Sequence, residues 1–115
     1  MAELAIDPGI KTGGALGFNS GEPPIVFLIE RPTAHQTYRI VRRAKELADA
    51  RGEKLGLVVE DQHLVRGPRA NPASTIHLAR SAERWVFVAE LLGAHVTRVQ
   101  PASWRTELSP VSPVD

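Results

Sequence analysis

Two acidic residues each stand at the end of a short apolar segment. Asp7 follows Leu4-Ala5-Ile6 and precedes Pro8-Gly9, and Glu60 follows Leu57-Val58-Val59. A carboxylate beside a buried strand loses hydration that apolar neighbours do not replace, so it is usually paired, hydrogen-bonded or bound to a cation. If the two segments are neighbouring strands of one sheet, both carboxylates emerge at one edge and supply two hard oxygen ligands for Mg²⁺. In the simpler alternative, Asp7 caps its turn and Glu60 begins a loop.

Asp61 follows Glu60 directly and is a second acid at the same place. Adjacent residues of a strand point to opposite faces of the sheet, so the two carboxylates cannot both face one cation while the strand continues. We therefore assign Glu60 to the candidate site and Asp61 to the surface or to a supporting position.

The bulk properties exclude several classes of protein. The chain has 115 residues, of which 43% are hydrophobic and 23% charged, as expected for one ordinary globular domain. It contains no cysteine, which excludes disulfides and thiolate chemistry. No apolar run approaches the roughly 20 residues of a membrane helix, and no secretory signal precedes the first strand. We expect a cytoplasmic protein with no membrane partner.

Positive charge is clustered although the net charge is only +1. A phosphate-binding protein needs local positive surface rather than a high overall charge. The alternative is that these side chains are solvated faces of helices. The basic residues concentrate in two groups: Arg39, Arg42, Arg43, Lys45, Arg51 and Lys54, and then Arg66, Arg69, Arg80, Arg84, Arg98 and Arg105.

Periodicity and turn residues predict the order β-β-β-α-β-α-β. Thr33 and Gln36 form a capping box at the start of the first helix, and Asn71-Pro72 suits the start of the second. Short turns between the first three strands imply an antiparallel meander, and the wholly apolar fourth strand favours a central position in the sheet. The predicted strands cover residues 3–7, 13–18, 25–30, 55–60 and 95–99, and the helices 33–51 and 72–92.

Two segments in this frame resemble a known family. The stretch from Ala5 through Asp7-Pro8-Gly9 to Thr12-Gly13 resembles the opening motif of RuvC-type Holliday-junction resolvases, and Leu57 to His63 resembles their second acidic strand. The helix with Leu78-Ala79-Arg80, the strand after it and Ser103-Trp104-Arg105 resemble the family's following segments. The resemblance extends to about residue 108.

The resemblance implies a ribonuclease H-like α/β fold and a structure-selective endonuclease. Such an enzyme hydrolyses a phosphodiester bond of a four-way DNA junction with two Mg²⁺ ions about 4 Å apart. It implies that Asp7 bridges both ions and that Glu60 binds one of them, with Mn²⁺ as a substitute for Mg²⁺. It also implies a homodimer, whose two sites nick symmetric strands.

The end of the chain departs from the family pattern. Family members carry further acidic or histidine ligands on a helix beyond the fifth strand, whereas only Glu107 and Asp115 remain here, among prolines. The expectation is therefore a nuclease domain over residues 1–108, a Pro-rich tail over 109–115 and a C-terminally truncated core of phage type. Cleavage by this fragment is expected to be impaired.

Several residues are candidates for contact with DNA. Lys11 and Thr12 follow the acidic turn, where they could touch the scissile phosphate, and His63 stands where the family often has a base-stacking aromatic. Solvated loop side chains are the alternative for Lys11 and His63. The remaining candidates are the arginines downstream of Glu60, namely Arg66, Arg69, Arg80 and Arg84.

The second helix carries the prediction of a dimer. Trp85-Val86-Phe87-Val88-Ala89 is apolar on nearly every side, so a helix over 72–92 must be covered on more than one face. Trp85 and Phe87 are expected in the core or at a subunit interface rather than as platforms for bases.

Two rival functions remain. Asp-Pro-Gly-x-x-Thr-Gly also resembles the phosphate-binding hairpin of actin-like sugar kinases, but 115 residues cannot supply the second domain that those enzymes need. The other rival is a catalytically defective ribonuclease H-like module for DNA binding or dimerisation, which would lack the later acids.

Overall fold

The computed structural model describes residues 1–60 and 72–99, with side chains for 1–60 and 79–99. Its strands are β1 (Ala2–Asp7), β2 (Lys11–Gly17), β3 (Ile25–Glu30), β4 (Leu55–Glu60) and β5 (His95–Val99). Its helices are α1 (Ala34–Ala50) and α2 (Pro72–Leu91). The predicted order β-β-β-α-β-α-β is confirmed.

The strands form one five-stranded mixed sheet in the order β3-β2-β1-β4-β5. β1, β2 and β3 are the predicted antiparallel meander, whereas β4 and β5 join parallel to β1 on its other side. β4 therefore has a strand on both sides, as its continuous apolar character predicted.

The helices cover one face of this sheet. Alternate residues of the central strands point toward α1 and α2 and are almost fully buried, among them Leu4, Ile6, Leu57 and Val59. The helices contribute mostly small residues to the same core, which lets them approach the sheet closely; Trp85 is the large exception and is fully buried. We call the opposite face of the sheet, which no described helix covers, the open face.

Local signals account for the ends of α1. The Thr33 hydroxyl accepts a hydrogen bond from the Gln36 amide, and the Gln36 side chain accepts one from the Thr33 amide, so the predicted capping box is present. At the other end Gly52 has a φ of +68°, a conformation that favours glycine after a helix.

β2 differs from its predicted extent because it begins two residues earlier, at Lys11 rather than Gly13. Lys11 and Thr12 already pair with Glu30 and Ile29 of β3, so the turn after β1 is shorter than expected. The small residues of β2 permit a close approach: the Phe27 ring lies over Gly14, where a β-carbon would collide with it.

No helix in the described part of the chain is long and apolar enough to cross a membrane. The tail predicted for residues 109–115 lies outside the described residues, as do Asp61, His63, Arg66, Arg69 and Asn71.

Candidate active site

Asp7 and Glu60 lie at the carboxyl ends of adjacent parallel strands. The last paired residues of β1 and β4 are Ile6 and Val59, and the same register continued by one residue sets Asp7 beside Glu60. Neighbouring strands are about 4.8 Å apart, and residues opposite each other share a face of the sheet. Since Ile6 and Val59 point into the core, both carboxylates belong to the open face.

No described residue fills the space on the β2 side of Asp7. Gly13 of β2 lies directly across from Asp7, and no heavy atom of the described residues comes within 4 Å of the position that a β-carbon on Gly13 would occupy. Asp7 itself is exposed and Glu60 is half-buried. The pair is therefore reachable from solvent, with a glycine where a side chain would otherwise crowd the approach.

This donor set fits a hard divalent cation. Mg²⁺ is usually bound in proteins by one or two carboxylates and completes its coordination with water or substrate phosphates. Asp7 and Glu60, at the ends of adjacent strands, would supply two carboxylates to such an ion. Within the described residues no cluster of three or more histidine, cysteine or acidic side chains is present.

The two residues after the turn have different environments. The Thr12 side chain is fully buried, and its hydroxyl donates a hydrogen bond of 2.9 Å to the Gly9 carbonyl. Thr12 therefore shapes the turn next to Asp7, and a direct contact between Thr12 and phosphate stays a prediction. Lys11 is exposed and lies across from Glu30.

Arg80 and Arg84 lie one turn apart on α2, as their spacing predicted, and both line a cavity with Gly9 of the turn after β1. Arg84 donates a hydrogen bond of 2.6 Å from Nη1 to the Pro32 carbonyl. The structure thus brings these two arginines to the same end of the sheet as Asp7.

Arg31 lines the same cavity and was missed by the sequence analysis. It follows the last residue of β3 and has a φ of +48°, which is rare for a residue with a side chain. The only sequence signal was a basic residue between the end of a strand and a proline, which is too common to single out.

The apolar half of α2 divides into a buried and an exposed side. Trp85 packs in the core, with its ring centroid 6.4 Å from that of Phe27. Phe87 and Leu91, one turn apart, are each 66% exposed. The expectation that Trp85 belongs to the core is confirmed, and Phe87 lies on the surface of the single chain.

One strongly perturbed carboxyl group lies at the other end of the sheet. Hydrogen bonds from Arg51 and from the Ser20 hydroxyl lower the pKa of Glu22 to about 2. The Arg51 guanidinium also lies over the Phe18 ring, 4.1 Å from its centroid. The Glu22–Arg51 pair joins the loop between β2 and β3 to the end of α1. It lies at the opposite end of the sheet from Asp7.

Solved structures with this architecture include two of RuvC from Thermus thermophilus. One, in complex with a Holliday junction substrate, superposes with a TM-score of 0.59 and 19% identity over 96% of this chain and 71% of that chain. The other has a TM-score of 0.55 and 20% identity over 95% of this chain and 69% of that chain. No family model and no curated protein matches the sequence. The predicted ribonuclease H-like fold is thereby confirmed.

Proposed function

We propose that this protein is a structure-selective endonuclease that cleaves four-way DNA junctions with the help of Mg²⁺. The observation that carries the proposal is the placement of Asp7 and Glu60 side by side on the open face, at the carboxyl ends of β1 and β4. The resolvase neighbours, one of them bound to a Holliday junction, support the choice of substrate.

In this proposal Asp7 and Glu60 hold the metal, with Mn²⁺ as a substitute. Bound ions of this kind activate water and stabilise the leaving 3′-oxygen during phosphodiester hydrolysis. The strands hold the two carboxylates at a fixed separation, and Gly13 leaves room for the DNA backbone to approach Asp7. Thr12 stabilises the turn behind Asp7 through its bond to Gly9.

DNA contacts are proposed for exposed basic groups at the same end of the sheet. Lys11, Arg80 and Arg84 are the described members of this set, and the proposal extends to His63, Arg66 and Arg69. Such groups bind phosphate with little dependence on base sequence and make the affinity fall with salt.

We also propose that the protein acts as a homodimer. Phe87 and Leu91 form an exposed apolar pair on α2, which a second copy would cover. Two subunits would present two pairs of carboxylates, as symmetric nicking of a junction requires.

The decisive experiment is cleavage of a synthetic four-way junction by the full chain, compared with linear duplex of the same sequence, with Mg²⁺, with Mn²⁺ and with EDTA. Cleavage of the junction alone, with either metal and not with EDTA, is the expected result. Metal-independent cleavage would contradict the proposal.

A catalytically defective DNA-binding module is the second candidate, favoured by one observation. The described residues bring together two acidic groups rather than three. Junction binding without cleavage at any metal concentration would establish this candidate in place of the nuclease.

A further inference from the structure

A cavity of about 480 Å³ lies behind the turn that follows Asp7. The described residues in its walls come from three parts of the chain: Gly9 and Ile10 of the turn, Arg31 and Pro32 before α1, and Arg80, Ser81 and Arg84 of α2. The three arginines are exposed at the surface and so are reachable by a solute.

The described residues that line this cavity carry only positive charge. Three arginines and no acidic residue are found among the described residues that line it. Arginine stays protonated at any ordinary pH, so the three positive charges repel one another when the cavity holds only water. An anion between them removes that repulsion, and the planar guanidinium is well suited to bind phosphate oxygens through two hydrogen bonds.

The backbone holds Arg31 in an unfavourable conformation. Its φ of +48° is the only positive φ at a non-glycine residue in the described part of the chain. The Arg31 amide donates a bond of 2.6 Å to the Ile10 carbonyl, and the next carbonyl, that of Pro32, accepts from Arg84. Glycine would avoid the strain, so the presence of a long cationic side chain at this position indicates that the side chain is used.

We infer that Arg31, Arg80 and Arg84 form a binding pocket for one backbone phosphate of the bound DNA. The inference rests on the proposed function and adds Arg31 and a discrete phosphate position to it. Gly9 and Ile10 of the turn line the pocket and Asp7 does not, so we assign the pocket to a phosphate other than the one that is cleaved.

The first test uses inorganic phosphate and the metal-free full chain in EDTA, followed by ¹H–¹⁵N NMR. Saturable shifts of the Gly9, Ile10, Arg31 and Ser81 amides are expected. Arg31→Gln and Arg80→Gln should each weaken the apparent affinity about tenfold, whereas Arg42→Gln, at an exposed arginine paired with Glu46 on α1, should leave it unchanged. Shifts spread over the surface, or equal affinities in all variants, would overturn the inference.

A second variant separates binding from folding. Arg31→Gly removes the side chain and also the strain at φ +48°, so it should raise the melting temperature while it weakens phosphate binding as Arg31→Gln does. Unchanged phosphate binding by a stably folded Arg31→Gly would show that the side chain is not a ligand.

The junction assay distinguishes this inference from the proposed function. Arg31→Gln should lower the slope of log affinity against log salt by about one, as expected for one lost phosphate contact. If the wild type binds phosphate in the pocket but binds no junction, the proposed function is refuted, whereas phosphate binding by the pocket is still supported. If Arg31→Gln binds and cleaves junctions as the wild type does, the pocket fails and the proposed function stands.

Discussion

Gly13 lies directly across from Asp7 in the β1–β2 ladder, and a β-carbon at Gly13 would meet no atom of the described part of the chain within 4 Å. In the proposed function, the metal and the DNA backbone would approach Asp7 through this space. The packing of the described residues does not require a glycine here, so we propose that the approach to Asp7 does.

Gly13→Val should leave the fold intact, since valine favours strands and its β-carbon would meet no described atom within 4 Å. Its methyl groups would displace the substrate by an ångström or more, and we expect cleavage to fall by about 10²-fold. Gly17→Val is the matched control, because Gly17 is equally unobstructed but pairs with Glu3 at the far end of the strand. Equal activities of the two variants would argue against an approach past Gly13.

Asp7→Asn keeps the size of the side chain and removes the charge that a metal ligand supplies. We expect junction cleavage to fall by about 10³-fold or more, since charge stabilisation by the metal is worth several kcal/mol. Glu60→Gln should do the same and Asp61→Asn should not. Junction binding, measured by gel shift, should stay equal or become tighter because a negative charge near the phosphates is lost. Full activity of Asp7→Asn would refute the nuclease proposal.

Phe87→Asp should dissociate the proposed dimer. A charge in place of an aromatic ring at the centre of an interface commonly costs about 2 kcal/mol or more, roughly a 30-fold rise in Kd. Sedimentation at micromolar concentration measures this directly. Leu28→Asp is the control, because Leu28 is 71% exposed but lies on β3. A monomeric wild type would contradict the proposal. Dissociation by Leu28→Asp alone would indicate that the interface lies at β3 and not at α2.

Acid should loosen the loop before β3. The pKa of Glu22 is lowered to about 2 in the folded protein, below its ordinary value of 4.5. A carboxyl group with a lowered pKa stabilises the fold above its unfolded pKa, and this contribution is lost as the pH falls from about 4.5 to 2. Arg51→Gln should flatten the dependence of stability on pH in that interval, measured by urea unfolding. An unchanged pH dependence in this variant would show that the pair does not contribute.

Trp85 offers a test of the core. It is fully buried, and its indole nitrogen has no hydrogen-bond partner within the described residues. Trp85→Ala should cost about 3–5 kcal/mol of unfolding free energy. Trp85→Phe should cost less than about 2 kcal/mol, because it also removes a buried donor without a partner. Equal losses in urea unfolding would mean that the indole nitrogen does form a bond.

Features that depend on neighbouring residues were predictable from the sequence. The capping box of Thr33 and Gln36 is local chemistry, and the strand ends at Asp7 and Glu60 follow from a change of hydrophobicity. Their juxtaposition was predicted only on the condition that β1 and β4 are neighbours, which the sheet order confirms.

Features that depend on distant contacts were not predictable. The sequence places Thr12 next to the acidic turn, but its burial results from the turn folding back onto Gly9. Arg31 lines the cavity only together with Arg80 and Arg84 of α2, about 50 residues later, and Arg84 is hydrogen-bonded to the Pro32 carbonyl. No local pattern encodes either contact.

The two strand pairings that position Asp7, of β1 with β2 and of β1 with β4, differ widely in sequence separation. Asp7 pairs with Gly13 across a short hairpin, whereas Ile6 pairs with Val59 across a long segment that contains β2, β3 and α1. Hairpins form in roughly 1–10 μs, while parallel pairing over a long loop is intrinsically slow. We therefore expect the meander to form first and the two carboxylates to come together late in folding, so that a chain emerging from the ribosome holds Asp7 in position well before it can bind the proposed metal through both residues.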